Sequence, residues 1–152
     1  MFTTKEKGDI TTVAIVLALL KQKIPVSVPW GDNLRYDLVI ELENKLFKVQ
    51  CKTARRYGNS IRFNMSSSYS QGSRIKENRS YIGDVDYFAI YYALEDETYL
   101  IPINDIQHIK YHATLNISKT KNNQYKNIRN SEKYKIKNII YNYNIQPKPL
   151  IL

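Results

Sequence analysis

Two apolar runs joined by a short polar link constrain this chain more than any other feature. They are Arg35-Tyr36-Asp37-Leu38-Val39-Ile40 and Phe47-Lys48-Val49-Gln50-Cys51-Lys52, connected through Glu43-Asn44-Lys45. The pattern predicts a β-hairpin with strands Tyr36 to Leu42 and Leu46 to Thr53. Side chains on a strand alternate faces, so Leu38, Ile40, Leu42, Phe47, Val49 and Cys51 form one apolar face. Asp37, Gln50 and Lys52 fall on the other and can converge on one point. The competing reading is a surface hairpin carrying three incidental polar residues. An acid at the mouth of one strand, facing Gln-x-Lys on the next, argues against it.

Such a trio suits a divalent metal ion beside a phosphate. Hydrolysing a phosphodiester needs an activated water, neutralisation of the phosphate and stabilisation of the departing oxygen, and a hard ion such as Mg²⁺ with oxygen ligands supplies much of this. Asp37 is the strongest ligand candidate. The amide oxygen of Gln50 and the main-chain carbonyl of Cys51 could add two neutral donors. Lys52 would polarise the attacking water or pair with the scissile phosphate.

The charge distribution points to a polyanionic partner. The net charge is +9, and the basic residues are clustered. Arg55, Arg56, Arg62, Arg74, Lys76 and Arg79 have only Glu77 among them as a counterweight, and from Lys110 to the end the only acid is Glu132. Lysines and arginines near phosphates release condensed counterions, which favours DNA. An A/T-rich coding sequence would also enrich Lys, Asn, Ile and Tyr, so composition alone does not decide. The six basic residues above, with Arg35 near the reactive centre, are the expected DNA contacts. The run Ser66-Ser67-Ser68-Tyr69-Ser70-Gln71 offers hydroxyls and an amide, with Ser67, Tyr69 and Gln71 as candidates for reading base edges; a solvated loop is the alternative there.

The rest of the chain bounds the fold. A length of 152 residues suits one domain, here taken as 1–152 with a basic C-terminal extension from about residue 119. No apolar run is long enough to span a membrane, no signal peptide is evident, and the single cysteine suits a reducing cytoplasm. A helix is expected from Asp9 to Lys23, started by Gly8-Asp9, stopped by Pro25, and packed through Ile10, Val13, Ala14, Val16, Leu17 and Leu20. Val26 to Val28 and Ile61 to Met65 read as short strands, and Ser66 to Ser80 as a loop or an element ordered on binding. Asp86 to Leu94 and Thr98 to Ile103 read as a second hairpin through Glu95-Asp96-Glu97. Lys119 to Arg129 reads as a loop or arm, and Ser131 to Tyr143 suits either helix or strand. Tyr87, Tyr91 and Tyr99 belong to core or interface. His108 and His112 have helical metal-ligand spacing but no third ligand nearby.

Helix, strand, then Asp and an acid-like residue-x-Lys on a hairpin resembles the PD-(D/E)XK nuclease superfamily. Gly8-Asp9, Pro29-Trp30-Gly31-Asp32-Asn33, Arg35-Tyr36-Asp37-Leu38 and Val49-Gln50-Cys51-Lys52-Thr53-Ala54-Arg55 resemble, more closely, the group I intron-encoded homing endonucleases of bacteria. Asp86-Tyr87-Phe88-Ala89-Ile90-Tyr91 and Tyr99-Leu100-Ile101-Pro102 extend the similarity over roughly the first two-thirds of the chain. The resemblance implies an α/β fold with a restriction-endonuclease-like core, a mixed β-sheet flanked by helices. It also implies Mg²⁺-dependent double-strand cleavage of a long DNA site, often in a tRNA gene, by a symmetric oligomer. In the wider superfamily the position of Gln50 is usually Glu or Asp, and Gln resembles the intron-encoded branch. Relatives carry a first-helix glutamate where this chain has Thr12, which is therefore counted with Asp37, Gln50 and Lys52 among the catalytic positions. Asp9, one turn earlier, either replaces that acid through a water or caps the helix, the latter being favoured.

Two other readings compete: a restriction-type or junction-resolving endonuclease, and a non-catalytic sequence-specific DNA-binding protein. Duplex cleavage needs one centre per strand, so a homodimer is the minimum and a homotetramer is open. The aromatic strand Tyr87 to Tyr92 or the apolar tail (Ile139, Ile140, Pro149, Leu150, Ile151, Leu152) is the expected interface.

Overall fold

The computed structural model describes residues 1–31, 33–69, 77–118 and 129–139, with backbone alone at 68, 69, 77 and 78. The hairpin forms, with a two-residue turn instead of the expected three-residue link and with its first strand starting at Leu38 instead of Tyr36. β2 (Leu38–Leu42) pairs antiparallel with β3 (Lys45–Thr53), with Leu38 opposite Val49 and Leu42 opposite Lys45. Glu43 and Asn44 close it at φ +50° and +62°, the doubly left-handed turn whose twist matches that of paired strands. β1 (Val26–Ser27) adds to the outer edge of β2.

The five-stranded sheet runs β1-β2-β3-β8-β9, with β8 (Tyr87–Tyr92) parallel to β3 and β9 (Glu97–Pro102) antiparallel to β8. Asp86 fixes the start of β8: its carboxylate accepts the Lys48 N–H at 2.7 Å while its own N–H donates to the Lys48 carbonyl. A parallel pair needs a long crossover, usually helical. Here residues 54–86 supply it as β-structure: β4 (Arg55–Tyr57), β5 (Ser60–Asn64), β6 (Ser66–Tyr69) and β7 (Glu77–Ser80). β10 (His112–Asn116), β5 and β4 form a second sheet in that order. The region from Ser66 to Ser80, expected to be a loop or an element ordered on binding, is entered and left through a two-stranded ribbon, with Ser66 opposite Ser80 and Ser67 opposite Arg79. Its alternation lacks apolar residues, which is why it did not read as a strand pair.

The mixed sheet is covered on one face by the only α-helix among the described residues, α1 (Thr4–Lys21). Ile15 and Leu19 pack there on Leu38, Ile40, Val49, Cys51 and Ala89. The other face packs Phe88, Ile90, Tyr92, Tyr99 and Ile101 against Ile61, Phe63, Ala113 and Leu115 of the second sheet. The mixed α/β class holds, with a small sheet where a second helix layer was expected.

Helix α1 departs from expectation three times, the first being that it ends at Lys21 and not at Lys23. It starts five residues early, because Thr3 and Glu6 form a reciprocal capping box. Asp9 is therefore inside the helix and is not its cap. The buried row is Thr11, Ile15 and Leu19, whereas Ile10, Val13, Leu17 and Leu20 are exposed. The helix is apolar on several sides, so periodicity alone could not choose the buried one.

Tyr87 to Tyr92, proposed as an interface, lies between β3 and β9 with both edges paired, and of its side chains only that of Tyr91 is partly exposed. Of the three tyrosines expected in core or interface, Tyr87 and Tyr99 are buried in the core and Tyr91 is half-buried. Within Ser131 to Tyr143 the described residues form 3-10 turns at Ser131–Tyr134 and Ile136–Asn138, and Ser131, Tyr134, Ile136 and Ile139 are buried. The apolar tail from residue 140 and residues 119–128 of the expected arm lie outside the described residues. No helix among the described residues is long and apolar enough to cross a membrane.

Candidate active site

Asp37 sits one residue before β2, and its N–H still donates to the Val49 carbonyl at 2.9 Å, extending the ladder. Its Oδ2 accepts from Gln50 Nε2 at 2.5 Å and from the Cys51 N–H at 2.8 Å. Strand alternation has thus brought Asp37 and Gln50 together as expected. Burial pushes the Asp37 carboxyl above the usual carboxylate range, opposed by the Cys51 N–H and by the charge of Lys52. Gln50 is 9% exposed and turns its amide nitrogen, not its oxygen, toward Asp37; the same nitrogen lies 3.3 Å from the Cys51 carbonyl. To offer oxygen to a cation the amide must turn by half a rotation, exchanging those two hydrogen bonds.

Lys52, two residues along, is partly buried, and its Nζ donates to the Tyr81 hydroxyl at 3.1 Å. The Cys51 side chain faces α1 and is buried. Burial and the nearby Asp37 charge push its thiol well above its ordinary value, against the Thr12 hydroxyl and Lys52, so it is no nucleophile.

A cleft of about 1120 Å³ opens over these groups. Its wall includes Asp9, Thr11, Thr12, Asp37, Gln50, Cys51 and Lys52. Thr12 donates to the Gly8 carbonyl at 3.1 Å, an in-helix bond that leaves it lining the cleft. Thr11, not identified from sequence, is 2% exposed and shares a 2.6 Å hydrogen bond with Thr53. Its signal was present in the spacing of four to Ile15 and of eight to Leu19, but a more apolar stripe obscured it.

Of the expected DNA contacts, Arg55, Arg56 and Arg62 line the cleft. Arg62 stacks on Tyr57, its guanidinium carbon 3.4 Å from the ring centroid. Lys5, Lys7 and His112 join them, positions that sequence reading missed because they come from the helix start and from β10. Arg35 is engaged inside the protein: Nε pairs with Asp84 at 2.7 Å, and the terminal nitrogens donate to Ser67 Oγ and to the Ser80 carbonyl. Ser67 and Arg79 lie on the ribbon, and Arg79 is exposed. Tyr69 is on β6 with its side chain outside the described residues, as are Gln71, Arg74 and Lys76 altogether. His112 is on a strand and His108 in a turn 2.8 Å from Arg129, so the helical His pair does not exist. Among the described residues no group of three or more His, Cys, Asp or Glu could hold a metal ion. The carboxylates on the cleft wall are Asp37 and Asp9.

Residues 2–137 match the PD-(D/E)XK endonuclease family model. The fold is similar to a solved structure titled as a bacterial homing endonuclease, I-Ssp6803I, with a TM-score of 0.66 at 23% identity over 95% of this chain and 94% of that one. No curated protein matches the chain. With the match covering most of its length and the Asp37-Gln50-Lys52 hairpin in place, the chain belongs to the PD-(D/E)XK endonuclease family.

Proposed function

We propose that this chain is a site-specific DNA endonuclease of the homing type, acting with Mg²⁺ as a homodimer or higher oligomer in the cytoplasm. The observation that carries the reading is the convergence of Asp37, Gln50 and the Cys51 main chain at 2.5 and 2.8 Å, with Lys52 beside them, on the wall of a basic cleft. The donor set suits Mg²⁺: it is all oxygen, with one poorly solvated carboxylate, and this ion takes one or two carboxylates while phosphates and waters complete its shell. Asp37, the Cys51 carbonyl and the turned Gln50 amide would hold it, and when bound it would supply charge neutralisation and a more acidic water. Asp9, freed from a capping role, is a second acid on the same cleft.

The chain's own groups account for the remaining chemistry. Lys52 neutralises the scissile phosphate or orients the attacking water. Lys5, Lys7, Arg55, Arg56 and Arg62 hold the backbone on either side of it. The β6–β7 ribbon is of a kind that fits the major groove, where Ser67, Tyr69, Gln71, Arg74, Lys76 and Arg79 would read bases. Two strands of duplex need two such centres, which is the reason for at least a dimer.

The test is cleavage of a plasmid carrying the joined sequences that flank the reading frame. Asp37→Ala and Lys52→Ala should abolish Mg²⁺-dependent cutting while binding in Ca²⁺ persists. Full cutting by both variants would remove this active site. Cutting of branched junctions of unrelated sequence would favour a resolvase, and specific binding without metal-dependent nicking a DNA-binding protein.

A further inference from the structure

We infer that Tyr81 is a positioning residue for Lys52 and that, with Arg35, it links the lysine to the root of the β6–β7 ribbon. The inference rests on the active-site reading above. A lysine ammonium ends a flexible four-carbon stem and takes a defined place only if something rigid receives it. Tyr81 is rigid. It is 6% exposed and its ring packs edge-on against Phe88, centroids 5.5 Å apart at 89°. Its hydroxyl accepts from Lys52 Nζ at 3.1 Å, and its ring centroid lies 4.6 Å from the same nitrogen. The phenol thus receives the ammonium at the hydroxyl edge of its ring, by a hydrogen bond to the oxygen.

Tyr81 also follows β7 directly, so its backbone continues that of the ribbon. The Arg35 guanidinium lies 4.5 Å from the same ring centroid. Arg35 then reaches Ser67 on β6 at 3.0 Å and the Ser80 carbonyl on β7 at 2.5 Å. Asp84, at 2.7 Å from Nε, neutralises it, which lets a second cation approach the ring that Lys52 already uses. Arg35 is also two residues before Asp37. One side chain therefore spans the entrance of the catalytic strand, the ribbon root and the ring that seats the lysine. A ribbon displaced in the groove would shift Tyr81, and with it the lysine.

The test compares Tyr81→Phe with the parent chain in single-turnover cleavage, DNA affinity in Ca²⁺ and thermal unfolding. The substitution keeps the ring, its packing and its cation contacts, and removes only the acceptor oxygen. The cleavage rate of bound DNA should fall about tenfold or more, as expected for a lost hydrogen bond to a charged group, with affinity and melting temperature unchanged. Tyr81→Leu should lower the rate further; if it fails to fold, Tyr81→Phe still decides. An unchanged rate in Tyr81→Phe overturns the proposal, and so does a loss confined to affinity. Unimpaired cleavage by Lys52→Ala would instead remove the underlying active-site assignment.

Discussion

Leu17 and Leu19 lie two residues apart on α1, about 200° around the helix from each other, and they separate the observed helix orientation from the one its apolar stripe suggests. Leu19 is 0% exposed against the hairpin, whereas Leu17 is 53% exposed. Replacing either by Ala changes helix propensity alike and slightly, so any difference reports packing. Truncating a fully buried leucine costs about 3–5 kcal/mol, the transfer loss plus the cavity left behind. Half-exposed Leu17 has no cavity to leave, and about 1 kcal/mol or less of burial is at stake. For a chain of this size 1 kcal/mol moves the melting temperature by about 2–4 °C. Leu19→Ala should therefore lower it by about 6–20 °C, and Leu17→Ala by about 4 °C at most. Circular dichroism melts and urea titrations of both variants measure this directly. Equal costs, or a larger cost at Leu17, would mean the helix is turned the other way. That result would also withdraw Thr11, which shares the face of Ile15 and Leu19, from the cleft wall.

Asp37→Asn should raise the melting temperature of the metal-free protein at neutral pH, even as it abolishes cleavage. Burial raises the Asp37 carboxyl above its ordinary 3.8, so the folded chain holds that proton more tightly than the unfolded one. The associated stability is fully present below 3.8 and is lost as pH rises through the folded value, so the gain from Asn should fade in acid; differential scanning fluorimetry across pH in EDTA checks the sign. Gln50→Glu places a second carboxylate where an amide nitrogen now sits 2.5 Å from Asp37, and should destabilise the metal-free chain while tightening Mg²⁺ binding in calorimetry; a metal-free protein at least as stable as the parent would refute the geometry. Arg62→Ala should weaken DNA binding and reduce the slope of log K against log salt by about one if Arg62 contacts a phosphate; an unchanged slope would place it off the DNA path.

The hairpin could be read in the sequence because its determinants are local. Period-2 alternation is enough to put Gln50 and Lys52 on one face of their strand, whereas the two-residue turn that sets Leu38 opposite Val49, and so brings Asp37 to that side, is fixed by the structure. What local pattern left undecided was every feature set by contacts between distant segments. The parallel pairing of β3 with β8 depends on a crossover that brings Asp86 to Lys48. The burial of Thr11 instead of Val13 depends on which side of an almost uniformly apolar helix the sheet occupies, and the turn of the Gln50 amide depends on which neighbour claims its nitrogen. Tyr81 meets Lys52 from 29 residues away, and no periodicity marks such a partner. The sequence by itself determined which groups could perform the chemistry, because strand geometry is a property of neighbouring residues. Only the tertiary structure decided which side chains hold those groups in place, because that depends on how separate elements pack together.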